Sequence, residues 1–529
     1  MKKRFYTAIL VCLLQVSVFM PEAVAGLAPE TLARLKAGLE SWDVETIWPQ
    51  VQDALRQFPR EAELLETAAQ IAYHRGDYPE ALVLVKQAMA AGGENEERMG
   101  FALFIEETIN VLAPYQRHES PHFSILLNDK QDGILVDYLI DALEKTYAVM
   151  AAQYGFYPSE KVRVELFPSS VAFYRGSALS VRDIEVAGAV GLTKFNKLQF
   201  LSPLALVHGY RWLDAISHEY MHYLIVKMTA NHAPIWFHEG LSKYEETRWR
   251  EGPGYLSPVN ITLLAQARMD NKLIDFEKME PSLIRLETPE EVQLAYAQAA
   301  SAIEFIVFRA GHAGLKTVME RMARGPSKGA GQALKDVLDM TFPEFEQHWK
   351  AYLAAKALIP VPGVTVQRYK VKEGDAESDR MDLKEIQSLV ARNRAHLGDK
   401  LKEKGRTRAA VREYQRALAD TSDSVPVMNR LAGALVELGR DSEALAILNR
   451  VLALNPDHPA PYVQLGRVYL KQKEFIKAET AFAESLQINP FNPEVHLGLA
   501  DAYARLGDQR RSEQEKSIAR KIMEFYTKR

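Results

Sequence analysis

The sequence predicts an α+β domain carried between two all-α helical repeat arrays. Three observations predict it. A period of about 34 residues runs through the last third of the 529-residue chain. In the middle, several short strand-like segments precede a pair of helical segments. Before them lies a weaker helix–turn–helix pattern with the same spacing. The length allows three or four domains. A hydrophobic content of 47% and a charged content of 25% are those of an ordinary globular protein. The net charge of −4 offers no basic excess for nucleic acid.

Residues 1–25 read as a secretory signal. Lys2-Lys3-Arg4 is the positive start, 7–20 is a short apolar stretch, and Ala23-Val-Ala25 is a small-residue cleavage site before Gly26. An uncleaved anchor is the alternative. No later apolar run is long enough to span a membrane. The expected product is exported, periplasmic or extracytoplasmic, with no integral span after signal removal. Cys12, the single cysteine, falls inside this signal. A mature chain would then have neither thiol nor disulfide, and a metal site would have to use His and carboxylate.

Residues 26–95 are expected to be helical repeats. His74-Arg-Gly76-Asp-Tyr-Pro-Glu-Ala81 reads as a helix–turn–helix with glycine at the turn. Trp42 and Pro59 precede Gly76 at spacings that recur downstream. Residues 96–119 are expected to be a helical connector. The central domain is placed at 120–356. In it, 122–127 reads as a strand and 133–154 as an amphipathic helix. Residues 161–167 alternate polar and apolar, as a half-buried strand does. Residues 187–192 and 198–201 form two more strands, joined through 194–197 as in a hairpin. Residues 357–385, turn-rich and charged, read as a linker.

Residues 386–529 carry the clearest repeat. Gly405, Gly439 and Gly507 fall at multiples of the period, with Lys473 at the missing step. Ala410, Ala444 and Ala478 keep it, as do Tyr414, Leu448 and Phe482, and Pro456 and Pro490. A turn residue, a small helix-contact residue, a large groove-filling residue and a terminal proline make up one helical-hairpin repeat. This pattern resembles the tetratricopeptide repeat (TPR).

The chemistry is concentrated between the arrays. A helix expected at 211–228 contains His218-Glu219-x-x-His222. Residues four apart share a helix face, so both imidazoles can reach one ion. Two neutral nitrogens suit Zn2+, which takes four ligands and leaves one position for water in catalytic sites. Glu219 can take a proton from that water. Thr229-Ala-Asn-His-Ala-Pro234 ends the helix, because proline cannot continue it. The next helix, from about 235, carries Glu239, the candidate third ligand.

His218-Glu-Tyr-Met-His222 followed by Trp236-Phe-His-Glu239-Gly-Leu-Ser resembles the signature of gluzincin metallopeptidases, specifically the peptidase-MA-like domains. The resemblance implies a zincin-like fold with one Zn2+ per chain. It also implies that His218, His222 and Glu239 are metal ligands and that Glu219 is the catalytic base. In that fold an edge strand beside the metal holds the substrate extended, which one of the strands in 187–201 would supply. In related gluzincin aminopeptidases a tyrosine at a similar distance after the ligand Glu bonds the tetrahedral intermediate. Tyr296 resembles it in position, although Gln298-Ala299 stand where that family has Lys-Gly. His232 and His238 are competing donors, and Asp214 is a candidate partner for a ligand histidine. His208, His312 and His348 read as structural or surface residues.

The resulting expectation is an exported zinc endopeptidase acting on protein or peptide substrates, with a protein partner on the concave TPR faces. Aminopeptidase action is disfavoured, because Gly188-Ala-Val-Gly191 lacks that group's amine-binding carboxylate, although Glu185 is not far away. Two alternatives are a non-catalytic TPR scaffold of an envelope or secretion complex and a zinc-binding domain that gates a partner without proteolysis.

Overall fold

The computed structural model describes residues 27–177, 188–252, 254–325, 329–366, 368–372 and 378–527. The expected signal, Cys12 and Glu185 lie outside these residues.

The described residues begin with helix pairs: Pro29–Glu40 with Val44–Gln57, then Ala62–Arg75 with Tyr78–Gly92, followed by Glu96–Leu112. Gly76 takes φ +86° between the second pair, the left-handed turn that its position predicts. A sheet then forms from β1 (Gln116–Glu119), β2 (Phe123–Leu127), β3 (Val162–Phe167), β4 (Gly191–Lys194) and β5 (Lys197–Leu201). Its order is β1-β2-β3-β5-β4. The three central strands run parallel and the two edge strands antiparallel to their neighbours. The helix Val136–Tyr154 makes the crossover from β2 to β3.

Three expectations change here. The connector expected to be helical over 96–119 ends in β1, so the sheet starts before 120. Its sequence, Gln116-Arg-His-Glu119, is entirely polar, because β1 is a largely exposed edge, and so it lacks strand patterning. The expected strand at 187–192 starts later, at Gly191. β3 alternates in sequence but is buried on both faces. The first repeat array covers the second face, and the polar residues of β3 pair within that interface. Glu165 accepts from the Tyr78 hydroxyl at 2.7 Å and from the Arg163 guanidinium at 2.6 Å. Lys197 donates to the Tyr73 carbonyl at 2.9 Å.

Two helices follow the sheet, Trp212–Thr229 and Ile235–Glu245. They are separated by Ala230 and Asn231 in the left-handed region and by Pro234. Helix Trp212–Thr229 buries apolar side chains on all sides, as a helix at the centre of a domain does. Long helix Pro289–Arg324, kinked at Gly311, packs against both.

The segment expected as a linker includes the helix Ser378–Glu385. It also pairs with the central domain. The Val207 amide donates to the Lys370 carbonyl at 3.0 Å and the Lys372 amide to the Ala205 carbonyl at 2.8 Å. Beyond it come four helical hairpins between Leu389 and Thr527. Gly405, Gly439, Lys473 and Gly507 all have positive φ. Ala410, Ala444 and Ala478 are fully buried between paired helices. The period of the sequence is therefore a structural period.

Candidate metal centre

The helix Trp212–Thr229 lines up His218 and His222 one turn apart, and the helix Ile235–Glu245 brings Glu239 to meet them. The two Nε2 atoms lie 3.1 Å apart. Glu239 Oε2 lies 3.5 Å from each of them. A tetrahedral ion with bonds of about 2.0–2.1 Å sets its ligand atoms about 3.3–3.4 Å apart. The three atoms form such a triangle, so these residues can hold a divalent metal. Two imidazole nitrogens at that separation repel through their lone pairs unless a proton or cation lies between them. Burial opposes charge on His218, but the carboxylates of Glu239 and Glu246 overcome it and raise the imidazole to about 9. Burial also works against ionisation of Glu239, and His222 and His218 hold its carboxyl far below the usual range. The surroundings favour positive charge at the centre of the triangle.

Glu246 is the residue sequence reasoning missed. Its Oε2 lies 3.3 Å from His218 Nδ1, and Lys243 donates to its Oε1 at 2.5 Å. A proton on Nδ1 donated to Glu246 leaves the Nε2 lone pair facing the triangle. Glu246 lies seven residues past Glu239, two helical turns on the same face, and that spacing was the available signal. Asp214, the candidate for this role, instead accepts from Trp249 Nε1 at 2.9 Å and from the Arg250 guanidinium at 2.9 and 2.8 Å.

Glu219 is buried against the edge strand β4. The Thr193 hydroxyl lies 2.7 Å from Glu219 Oε2 and 2.7 Å from the Glu219 carbonyl. A Cβ on Gly191 would come within 2.7 Å of Glu219 Oε1. Glycine there makes room for the carboxylate, which explains the missing side chain at this position of the strand. Tyr296 sits two turns inside its helix, with its ring 6.2 Å from that of His218. Burial, reinforced by Glu239, Glu219 and Glu246, pushes its phenol well above the usual range and keeps it a hydrogen-bond donor. His238 lies against His222, ring centroids 5.7 Å apart. His232, the other competing donor, has its Nδ1 3.1 Å from the Met322 carbonyl.

Two imidazoles and a carboxylate at metal-ligand spacing, with an acid buried against an edge strand, make up the candidate centre. Residues 144–355 match the Peptidase MA superfamily. Tetratricopeptide repeat models match 49–96, 401–467 and 463–515, so the Peptidase MA domain has TPR arrays on both sides. The type IV pilus assembly protein PilF of Pseudomonas aeruginosa is 30% identical over 136 residues, 25% of this chain and 54% of that protein. The Hsp70-Hsp90 organizing protein of Triticum aestivum is 30% identical over 114 residues, 20% of this chain and 19% of that one. The mouse DnaJ homolog subfamily C member 3 is 32% identical over 118 residues, 21% and 23% of the two chains. In each case the chain covers less than two thirds of the relative. Among solved structures, a MamA structure is 22% identical with a TM-score of 0.23, covering 28% of this chain and 87% of its own. A thermophilic TPR protein from Thermus thermophilus is 22% identical with a TM-score of 0.24, covering 26% and 82%. The TPR arrays make this a protein-interaction architecture, and among the described residues no helix is long and apolar enough to cross a membrane.

Proposed function

We propose that the Peptidase MA domain is an exported, zinc-dependent endopeptidase acting on protein substrates or partners engaged by its TPR arrays. The triangle of His218 Nε2, His222 Nε2 and Glu239 Oε2, with Glu219 buried beside it, carries the reading. Two imidazoles and a carboxylate favour zinc among divalent ions. Bound there, zinc would supply Lewis-acid polarisation of a carbonyl and a more acidic water.

The chain's own residues supply the rest. Glu219 takes the proton of the attacking water and passes it to the leaving nitrogen, and Thr193 fixes its carboxylate. Tyr296, with a neutral phenol beside His218, donates to the oxygen that gains charge. β4, an edge strand next to Glu219, can pair with an extended peptide backbone. Export rests on the signal-like residues 1–25 alone.

Metal content and proteolysis of a protein substrate test this reading. About one zinc per chain, largely lost in Glu239→Ala, is expected. Glu219→Gln should keep the zinc and lose activity by roughly 100-fold or more. A wild-type chain that takes up no zinc sinks the proposal.

A further inference from the structure

The metal-binding helix is held at both ends by the TPR arrays. At its C-terminal end, Lys227 donates to the Trp42 carbonyl at 2.9 Å and to Glu45 Oε2 at 2.5 Å. Asn231, just past the helix, donates to the Glu40 carbonyl at 3.1 Å. The N-terminal end is held more closely. The Tyr210 amide donates to the Ile488 carbonyl at 3.0 Å and the Trp212 amide to the Gln487 carbonyl at 3.1 Å. The Trp212 indole donates to the Leu486 carbonyl at 3.2 Å. An α-helix leaves its first amides without partners inside the helix. Here the Trp212 amide, at the first helical position, finds its partner on the C-terminal array.

Two side-chain features depend on this docking. Arg211 spends its guanidinium entirely on the array, on Asp457 at 2.7 Å, Glu484 at 2.9 Å, and the Pro456 carbonyl and Tyr462 hydroxyl at 3.3 Å each. Gly209 has φ +77°, and a Cβ there would collide with the Ile488 carbonyl. A second tie runs through Asp214 on the same helix, which holds Arg250, whose Nη1 lies 3.8 Å from Glu484. His218 follows Trp212 by less than two turns. A shift or fraying of the first turn therefore reaches the first ligand.

We propose that the C-terminal TPR array is a working part of the metal centre, with Arg211 as a positioning residue that sets His218 through the docked first turn. The proposal rests on the metal-site reading above. It differs from simple recruitment, in which a tethered array would leave the site unchanged.

The test uses the full chain and four proteins: wild type, Arg211→Ala, Gly209→Val and the array-side double variant Asp457→Asn/Glu484→Gln. Zinc affinity is measured by chelator competition and ligand geometry by the visible spectrum of the cobalt-loaded protein. Hydrogen exchange follows the Tyr210 and Trp212 amides, and circular dichroism follows helicity. The expected result is faster exchange at both amides, an altered cobalt spectrum and a zinc affinity lower by about 10-fold, with helicity retained. The double variant keeps the experiment decisive if Gly209→Val does not fold, since its substitutions lie on the array. Zinc affinity within about twofold of wild type in every folded variant overturns the positioning role and leaves the zinc site standing. No zinc uptake by the wild type overturns both.

Discussion

Thr193 Oγ1 lies 2.7 Å from both the carboxylate and the backbone carbonyl of Glu219, so one hydroxyl on the edge strand ties the acid to the sheet. A hydroxyl has a single hydrogen and can donate to only one of these acceptors at a time. Thr193→Val keeps the shape and removes the donor. It should lower proteolytic turnover by roughly 10-fold at unchanged zinc content, and Thr193→Ser should restore most of it. Steady-state kinetics with zinc analysis decide this. Equal losses in Val and Ser variants would mean that packing, not the hydroxyl, matters.

Glu246 orients His218 through Nδ1. Partners of this kind are worth roughly 10–100-fold in metal affinity. Glu246→Ala should lower zinc affinity within that range, and Asp214→Asn, which removes a charge bound to Arg250 and not to either candidate ligand histidine, should lower it less. Chelator competition on both variants gives the comparison, and the reverse ranking would refute the assignment.

Asp132 sets a pH dependence away from the metal. It is fully buried, accepts from the Ser202 hydroxyl at 2.6 Å, and its Oδ2 has no partner among the described residues. Burial raises its carboxyl to about 7, opposed only in part by Ser202. Its usual value is 3.8, so between about pH 4 and 7 the folded chain binds more protons at this position than the unfolded one. Stability contributed here is present below that window and lost as the pH rises through it. Asp132→Asn should therefore change stability little near pH 4 and raise it by about 2–4 kcal/mol near pH 8. Denaturant unfolding at the two pH values measures this, and a gain equal at both would rule out the carboxyl as its cause.

Lys473 occupies a turn that glycine takes in the neighbouring repeats, with φ +64°. A side chain in that region costs about 1–2 kcal/mol, offset in part by the greater freedom glycine has when unfolded. Lys473→Gly should stabilise the C-terminal array by about 0.5–1 kcal/mol. Thermal unfolding of the two proteins checks the sign.

Legibility in the sequence followed locality. The two histidines are four residues apart on one helix, and Glu239 lies in the second turn of the next helix after a proline break, so local geometry alone suggests their meeting. The array turns at Gly405, Gly439 and Gly507 were equally legible, because a repeated unit writes its requirements several times. Thr193 and Gly191 were not, since nothing near either names Glu219 as its neighbour. β3 was misread as half exposed because its polar positions face Tyr78 and Lys197, not water.

Periodicity and short spacing already carried the repeat period, the order of a strand-rich domain between helical arrays, and the three side chains that meet as candidate metal ligands. That Glu246 and not Asp214 meets His218, that Thr193 holds Glu219, and that the arrays pack onto the two ends of one helix emerges only from the packed chain. Those contacts join residues tens to hundreds of positions apart, as Arg211 and Glu484 do. Their geometry exists only after the elements have packed, and no local pattern records which surfaces meet.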